Sequence, residues 1–161
     1  PLGGVLVSDR VTGTIIEEGG EFAHGFTYSG HPAACAVALK NIELIKKENI
    51  LDSVKNKIGP YLKEKWLSLG DHPIVGEARI KGLMGAIELT NDKVKRSRFP
   101  SDFKAGSLCR DISIKNGLVM RAVGDSMIIA PPLVINHEQI DELVDKARTT
   151  LDETQEAVQK L

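Results

Sequence analysis

The 161-residue sequence has no long hydrophobic run, no excess of charge of one sign and few aromatic residues. Its longest uninterrupted apolar run, residues 33–39, is far shorter than the roughly 20 residues that a helix needs to cross a bilayer. The formal net charge is −1, which gives no bulk electrostatic reason to bind nucleic acid or an anionic membrane. We therefore expect no nucleic acid and no membrane among its partners. With 42% hydrophobic residues, the sequence is too apolar for a disordered chain.

Cysteine is also scarce. Cys35 and Cys109 are the only two in the sequence, and a chain of this length does not need a disulfide to be stable. No basic stretch precedes an apolar core near the first residue, so no secretory signal is indicated. We expect a cytoplasmic protein in which both cysteines are reduced.

The four histidines do not have the spacing of a metal site. His24 and His31 lie seven positions apart in a polar segment, and no cysteine or acidic cluster joins them at ligand spacing. His72 and His137 are isolated from one another in the sequence. We expect no metal ion. The basic run over residues 93–98 has no interleaved aromatic residues, so it is interpreted as a solvated loop.

The pattern of elements changes near residue 49. Before it, we predict a short buried strand over residues 3–7, a glycine-rich loop over residues 17–30 and a helix beginning at Pro32. After it, the alternation of helices and strands predicts a compact α+β lobe. Its expected elements are a helix interrupted at Gly59-Pro60, strands over 74–80 and 83–89, a helix over 102–116 capped by Ser101 and stopped by Gly117, a strand hairpin turning at Gly124-Asp125, and a helix over 137–159 with a capping box at Asn136.

The loop over residues 25–32 is the most informative local feature. Thr27 and Ser29 place hydroxyl groups next to a helix start, where unpaired N–H groups and the helix dipole favour an anion. A glycine turn with hydroxyl caps is the simpler interpretation, and the spacing alone favours it. From its spacing the loop is therefore interpreted as a glycine turn, and an anion site is the alternative.

Arg121 interrupts a strand that is otherwise apolar. A buried guanidinium without a partner is costly, so this side chain must face solvent or bind an anion. Guanidinium groups bind carboxylates through two parallel hydrogen bonds. An ordinary exposed strand residue is the alternative, and for Arg121 taken alone it is the favoured interpretation.

Five segments, taken in order, resemble one family. They are residues 1–5 (PLGGV), 24–32 (HGFTYSGHP), 82–89 (GLMGAIEL), 120–125 (MRAVGD) and 130–135 (APPLVI). Their order and separations resemble the C-terminal part of a class III pyridoxal-phosphate aminotransferase, and within that family the omega branch of amine:pyruvate transaminases. The likeness extends over essentially the whole chain.

The resemblance implies an α/β protein with the fold of the type I pyridoxal-phosphate-dependent transferases. Such enzymes are homodimers whose active sites lie at the subunit interface. Residues 1–48 would be the C-terminal portion of the large cofactor-binding domain. Residues 49–161 would be the small C-terminal α+β domain.

The resemblance also implies which residues form the site. Thr27, with the backbone of Phe26 beside it, would contact the cofactor phosphate of the neighbouring subunit. Arg121 would bind the substrate carboxylate and swing away for amines that lack one. The family's Schiff-base lysine lies upstream of the segment matching residues 1–5, so we expect no catalytic lysine in this chain. Arg79 receives no role, because the family often has Arg-Gly there and Ile80 follows it here.

The expected function is therefore that of a C-terminal transaminase fragment. The parent enzyme would transfer an amino group from an amine or omega-amino acid to a keto acid such as pyruvate. The fragment would be inactive alone, would hold no cofactor, and would form a homodimer or associate with the missing N-terminal part. The apolar faces of residues 1–48 should then be exposed, disordered or buried in another chain.

Two alternatives stay open at this point. The chain could be a stand-alone α+β module that binds a small anion through Arg121 and the loop over residues 25–32, without catalysis. This interpretation is weakened because one strand and one helix before residue 49 cannot complete a sheet. An aminomutase or a decarboxylase of the same fold is the other alternative, and the segments around Thr27 and Arg121 fit a transaminase better.

Overall fold

The structure is a computed structural model that describes residues 2–100 and 102–160. The chain forms two compact units, Pro1–Glu48 and Asn49–Leu161. The first contains two helices and the second mixes helices with a four-stranded sheet.

The two helices of the first unit are α1 (Asp9–Glu18) and α2 (Pro32–Lys47). Pro32 occupies the first turn of α2, as predicted, because its missing N–H would have no helical partner there. The His31 side chain caps this helix by accepting a hydrogen bond from the Ala34 N–H at 3.4 Å. A loop connects the two helices, as the glycine-rich sequence predicts.

The predicted buried strand over residues 3–7 is wrong. This segment has no regular structure, and Val5 and Leu6 are 89% and 102% exposed. A strand needs a neighbour for its N–H and C=O groups, and residues 2–48 supply none. Helices α1 and α2 also bury no side chain. Most apolar side chains of residues 2–48 are therefore exposed, which is one of the three outcomes expected for them.

The sheet of the second unit is antiparallel throughout, with the strand order β1-β2-β4-β3. Two hairpins build it, and each turn is tight. Gly82 (φ 58°) turns the first hairpin and Gly124 (φ 57°) turns the second. The strands are β1 (Val75–Lys81), β2 (Met84–Leu89), β3 (Arg121–Val123) and β4 (Ser126–Ile129). Both predicted hairpins are thus confirmed. In the second, β3 begins at Arg121 and not at the predicted residue 118, and β4 begins at Ser126, one residue earlier than predicted.

The first helical segment of this unit is interrupted, as Gly59 and Pro60 predict. Helix α3 (Ile50–Ser53) leads into one π-helical stretch, Val54–Ile58, and then into α4 (Gly59–Leu67). The Gly59 N–H donates to the Val54 carbonyl, five residues back. A final 3₁₀ turn, Ser68–Asp71, completes the segment.

Helix α5 (Ala105–Lys115) begins three residues later than predicted. Ser101, the predicted cap, lies outside the described residues. The N-cap position is held by Lys104, whose backbone is left-handed (φ 48°) and whose side chain makes no capping hydrogen bond. A lysine side chain has no acceptor atom, so the N-terminal N–H groups of α5 need an acceptor from elsewhere.

Helix α6 (His137–Gln159) has the predicted bounds and the predicted capping box. The Asn136 side chain accepts from the Gln139 N–H at 2.8 Å, and the Gln139 side chain accepts from the Asn136 N–H at 3.1 Å. This reciprocal pair satisfies donors that the first helical turn leaves open.

A polar cluster joins α4 to α6. The Tyr61 hydroxyl donates to Asp141 at 2.8 Å, and the Lys65 ammonium lies 2.9 Å from the same carboxylate. Hydrogen bonds from Lys65 and then Tyr61 hold the pKa of Asp141 below its ordinary value. The cluster therefore orients the two helices on the outside of the core.

The core lies between one face of the sheet and helices α4, α5 and α6. Trp66 fills its centre and is fully buried, and its Nε1–H donates to the Ala86 carbonyl at 3.3 Å. The indole can lie this close to the sheet because position 85 is glycine. A Cβ atom on Gly85 would lie 2.9 Å from both Trp66 Nε1 and Ile129 Cγ1. Fully buried side chains around Trp66 include Leu62, Leu69, Ile87, Met127, Ile140 and Leu151.

Replacing Gly85 by alanine should destabilise the second unit by about 1–3 kcal/mol, since the added methyl group must displace a packed ring. Urea unfolding followed by the fluorescence of Trp66, the only tryptophan, measures this change. Gly70→Ala is the matched control, because its Cβ would make an ordinary 3.7 Å contact with Ala78. Equal unfolding midpoints for the two variants would contradict this account of the packing.

The two cysteines differ in their surroundings. Cys35 is exposed, whereas Cys109 lies in the core of the second unit. Burial raises the pKa of the Cys109 thiol to about 11, because the thiolate would lose its hydration.

We expect Ellman's reagent at pH 8 to label one thiol of the folded chain rapidly, because only the thiolate reacts and Cys109 stays protonated. Cys35→Ser should abolish the rapid phase and leave a slow phase that accelerates in urea. Rapid labelling of two thiols in the folded chain would show that Cys109 is not buried as described.

Candidate functional site

Thr27 lies in the turn that precedes α2. Two hydrogen bonds close this turn from inside: the Ser29 N–H donates to the Phe26 carbonyl at 2.9 Å, and the Phe26 N–H donates to Ser29 Oγ at 3.1 Å. Thr27 is exposed. Within residues 2–100 and 102–160, no protein group forms a hydrogen bond with its hydroxyl or its backbone N–H.

The two residues predicted to contact a phosphate therefore differ in what they offer. The N–H of Phe26 is already donated to Ser29, so it serves to shape the loop. Thr27 presents a hydroxyl and an N–H with no competing partner, and the Ser29 hydroxyl keeps its own proton to donate. Neutral donors beside a helix start suit a phosphate group, so this set fits the phosphate of the expected cofactor.

Residues 2–4, which belong to the first of the five motif segments, lie close to the start of α2. A groove of about 690 Å³ runs between Gly3-Gly4 and the N-terminal half of the helix, and His31 lines it. Its walls are mostly small or apolar, including Ala34 and Val37. Two of the five motif segments thus meet within the first unit.

Arg121 begins β3, the edge strand of the sheet. It pairs in register with Ile128, Ile128 pairs with Ala86, and Ala86 pairs with Arg79. Directly opposed residues in antiparallel strands point to the same face. The four side chains therefore form one row across the sheet, with an arginine at each edge.

This row lies on the face that points away from the core. The adjacent row contains Ile87 and Met127, both fully buried under the helices. Arg79 and Arg121 are both exposed, and Ala86 and Ile128 between them are half-buried. The open face of the sheet thus combines an apolar strip with two guanidinium groups.

The two arginines of the row differ in charge pairing. The Arg79 guanidinium lies 3.1 Å from the Glu77 carboxylate and 3.4 Å from the Glu88 carboxylate. Arg121 has no carboxylate partner among the residues that the structure describes. Only Arg121 therefore retains an unpaired guanidinium for a ligand carboxylate. The Glu77 pair joins alternate residues of one strand, which share a face, whereas the Glu88 pair depends on strand register and could not be predicted from the sequence.

Asp125 has no predicted role beyond its place in a hairpin turn and at the end of the segment 120–125. Its carboxylate accepts a hydrogen bond from the Gly106 N–H at 3.0 Å and so supplies the acceptor that Lys104 lacks. A Gly-Asp pair in a hairpin turn is an ordinary turn signal. Nothing in the spacing indicates that the carboxylate caps a helix 19 residues earlier.

The candidate residues are thus divided between the two units. Phe26 and Thr27 share one turn in the first, and Arg121 lies in the second. No group of three or more histidine, cysteine or acidic side chains could hold a metal ion in the described part of the chain. In the same part, no helix is both long and apolar enough to traverse a lipid bilayer.

Comparisons with known proteins give a consistent family. The family model described as Aminotransferase class-III matches residues 1–151. The chain is 54% identical over 158 residues to a putrescine–pyruvate aminotransferase of Pseudomonas aeruginosa, covering 98% of this chain and 34% of that protein. It is 40% identical to the mitochondrial gamma aminobutyrate transaminase 1 of Solanum lycopersicum, covering 100% and 32%. The chain spans about a third of the length of these curated relatives.

Solved structures agree with this result. An (S)-enantioselective omega-transaminase from Thermomicrobium roseum superposes with a TM-score of 0.82 at 36% identity, covering 92% of this chain and 33% of that one. The PMP-bound form of an aminotransferase from Vibrio fluvialis gives 0.80 at 33% identity, covering 90% and 32%. These similarities confirm the predicted family and the α/β fold of the type I transferases.

Arg121→Ala should change the free energy of unfolding of the second unit by less than about 0.5 kcal/mol, because the exposed side chain has no ion pair to lose. The measurement is again urea unfolding followed by Trp66 fluorescence. A loss of 1 kcal/mol or more would mean that Arg121 supports the fold, and its assignment to a ligand would lose its basis.

Proposed function

Because the chain belongs to the class-III aminotransferases, we propose that it is part of an enzyme that transfers an amino group from an amine or omega-amino acid to a keto acid such as pyruvate. The relatives supply the substrate classes. One is named for putrescine and pyruvate, and others are named for gamma-aminobutyrate.

The observation that supports this proposal most directly is the exposed and unpaired guanidinium of Arg121. Its guanidinium is exposed, lies on the open face of the sheet and has no ion pair within the described residues. A planar guanidinium forms two parallel hydrogen bonds with a carboxylate, which fixes the orientation of a bound keto acid. Arg121 would therefore bind the acceptor substrate by its carboxylate.

A transaminase of this kind must also accept a donor that lacks a carboxylate near its amine. A charged side chain that is held by an internal ion pair would have to break that pair to move aside. Arg121 has no such pair to break among residues 2–100 and 102–160. Because it has no ion pair, Arg121 can bind the carboxylate of the acceptor and can also move aside for the donor. Arg79, in contrast, is held by two carboxylates.

The cofactor of the proposed enzyme is pyridoxal phosphate, and the turn before α2 supplies donors for its phosphate. The Thr27 hydroxyl and N–H would donate to phosphate oxygens, and the Ser29 hydroxyl is placed to add a third hydrogen bond. When bound, the cofactor supplies an electron sink for the substrate carbon that exchanges its amino group. Phe26 would act only by shaping the turn through its N–H.

The active enzyme requires protein that this chain does not contain. We propose that the chain functions with an upstream segment that carries the catalytic lysine, in a cytoplasmic homodimer in which Thr27 contacts the cofactor of the neighbouring subunit. The exposed apolar side chains of the first unit support such an association, because surfaces of this kind are usually buried against protein. Residues 1–48 would belong to the large domain and residues 49–161 to the small domain.

A hybrid enzyme tests this proposal. In it, the chain replaces the segment that it matches in the P. aeruginosa putrescine–pyruvate aminotransferase. With pyridoxal phosphate, the hybrid enzyme should convert pyruvate to alanine at the expense of putrescine. Thr27→Ala should raise the cofactor concentration for half-saturation by about tenfold through loss of a charge-assisted hydrogen bond. Thr27→Ser is the matched control and should bind the cofactor nearly as the unsubstituted hybrid does.

The chain by itself gives the complementary result. After incubation with pyridoxal phosphate and borohydride, mass spectrometry should find no lysine modified stoichiometrically. A single, fully modified lysine would contradict the proposal that the anchoring amine lies upstream. An inactive hybrid enzyme, together with tight binding of a small anion by the isolated chain, would instead favour a stand-alone anion-binding module.

A further inference from the structure

The strand that carries Arg121 is fastened at both ends to the same helix. The chain leaves α5 at its C-terminal end, runs back along the helix as β3, and turns at Gly124 beside the N-terminal end of α5. Arg121 lies between the two fastenings. The strength of these two attachments determines how well the direction of the Arg121 side chain is defined.

The first fastening is the C-terminal end of α5. Gly117 adopts a left-handed backbone (φ 73°), and its N–H donates to the Ile114 carbonyl at 3.0 Å. The Leu118 N–H donates to the Ser113 carbonyl at 2.8 Å. This double hydrogen-bond pattern is a Schellman motif, which fixes the exit direction of the chain. Leu118 and Met120 are then buried, which anchors the entry to β3.

The second fastening is Asp125, on the other side of the hairpin turn. Its side chain accepts from the Gly106 N–H at 3.0 Å, at the second position of α5. Its backbone carbonyl accepts from the Leu89 N–H at 2.9 Å. One residue therefore ties the turn both to the helix and to strand β2.

The backbones approach closely at this point. A Cβ atom on Gly106 would lie 1.9 Å from the Gly124 carbonyl oxygen and 3.1 Å from Asp125 Cα. Only a glycine at position 106 lets the turn come within hydrogen-bond distance of the helix start. The carboxylate of Asp125 is thus aimed at a helix N-terminus that has no cap of its own.

The turn end of strand β3 depends on this hydrogen bond because few other interactions hold it. It contains three residues, pairs with β4 on one side only, and forms the edge of the sheet. Short edge strands are among the least constrained parts of a sheet. Without the cap, the turn end of the hairpin would be held to α5 by packing alone.

We propose that Asp125 is a positioning residue for Arg121: by capping α5 from the hairpin turn, it fixes the strand from which the guanidinium reaches the substrate carboxylate. This inference rests on the proposed function. Asp125 touches neither substrate nor cofactor in this proposal, so its effect is selective for substrates that Arg121 binds.

The test compares two acceptors in the hybrid enzyme, pyruvate and butanal, because butanal has no carboxylate. Asp125→Ala should lower the ratio of kcat/KM for pyruvate to kcat/KM for butanal on the order of tenfold, mainly through a higher KM for pyruvate, as a misplaced binding group does. Asp125→Asn keeps an oxygen acceptor for the Gly106 N–H and should keep the ratio within about twofold. Arg121→Ala is the reference, since it removes the guanidinium itself and should lower the ratio further.

The outcomes separate the two proposals. An unchanged ratio in Arg121→Ala would overturn the role of Arg121 in the proposed function. A lowered ratio in Arg121→Ala with an unchanged ratio in Asp125→Ala would overturn only the positioning role. Equal losses for pyruvate and butanal in Asp125→Ala, or equal effects of Asp125→Ala and Asp125→Asn, would show that the cap does not act through Arg121.

Amide hydrogen exchange of the chain itself gives a readout that needs no activity. In Asp125→Ala, the N–H groups of Gly106 and of β3 should lose protection about tenfold or more, while the N–H groups of α6 stay protected. Asp125→Asn should retain the protection of both. Unchanged protection of β3 in Asp125→Ala would overturn the inference even if the hybrid enzyme were inactive.

Discussion

The close contact between the start of α5 and the turn of the second hairpin constrains the part of the second unit that contains Arg121. Gly106 lacks the Cβ atom that would collide with the Gly124 carbonyl, and Asp125 provides the acceptor that the helix start lacks. The same residue extends the ladder between β2 and β4 through its carbonyl. One short stretch of backbone thus joins helix, hairpin and sheet, and this junction fixes the position of the strand that carries Arg121.

A second constraint sets the thickness of the lobe. Trp66 lies directly on the sheet because Gly85 leaves room for its ring, and the core of aliphatic side chains closes around it. With the helices on one face, the other face of the sheet stays open. Arg79 and Arg121 occupy its two edges. Arg79 pairs with Glu77 and Glu88, whereas Arg121 has no ion pair within the described residues. The chemistry proposed for the open face follows from this asymmetry.

The first unit follows a different logic. Its helices bury no side chain, and its leading segment is extended without a partner strand. Sequence patterns correctly predicted the start of α2 at Pro32, since a proline there acts through local geometry. They wrongly predicted a buried strand over residues 3–7, because burial of Val5 and Leu6 needs a surface that residues 2–48 do not supply. An apolar run shows that a segment can be buried. Whether it is buried depends on a partner surface elsewhere in the protein.

Sequence patterns were enough to predict the family, through five segments in order, and the elements whose signals are local: the capping box of α6, the interruption at Gly59-Pro60 and the turn at Gly124. These features depend on interactions between residues a few positions apart. Only the folded chain shows that Arg79 pairs with Glu88 across the strands while Arg121 stays unpaired, how Trp66 meets Gly85 and what Asp125 caps. Each of these depends on strand register or on contacts between residues 19 or more positions apart, and no local pattern encodes such a meeting.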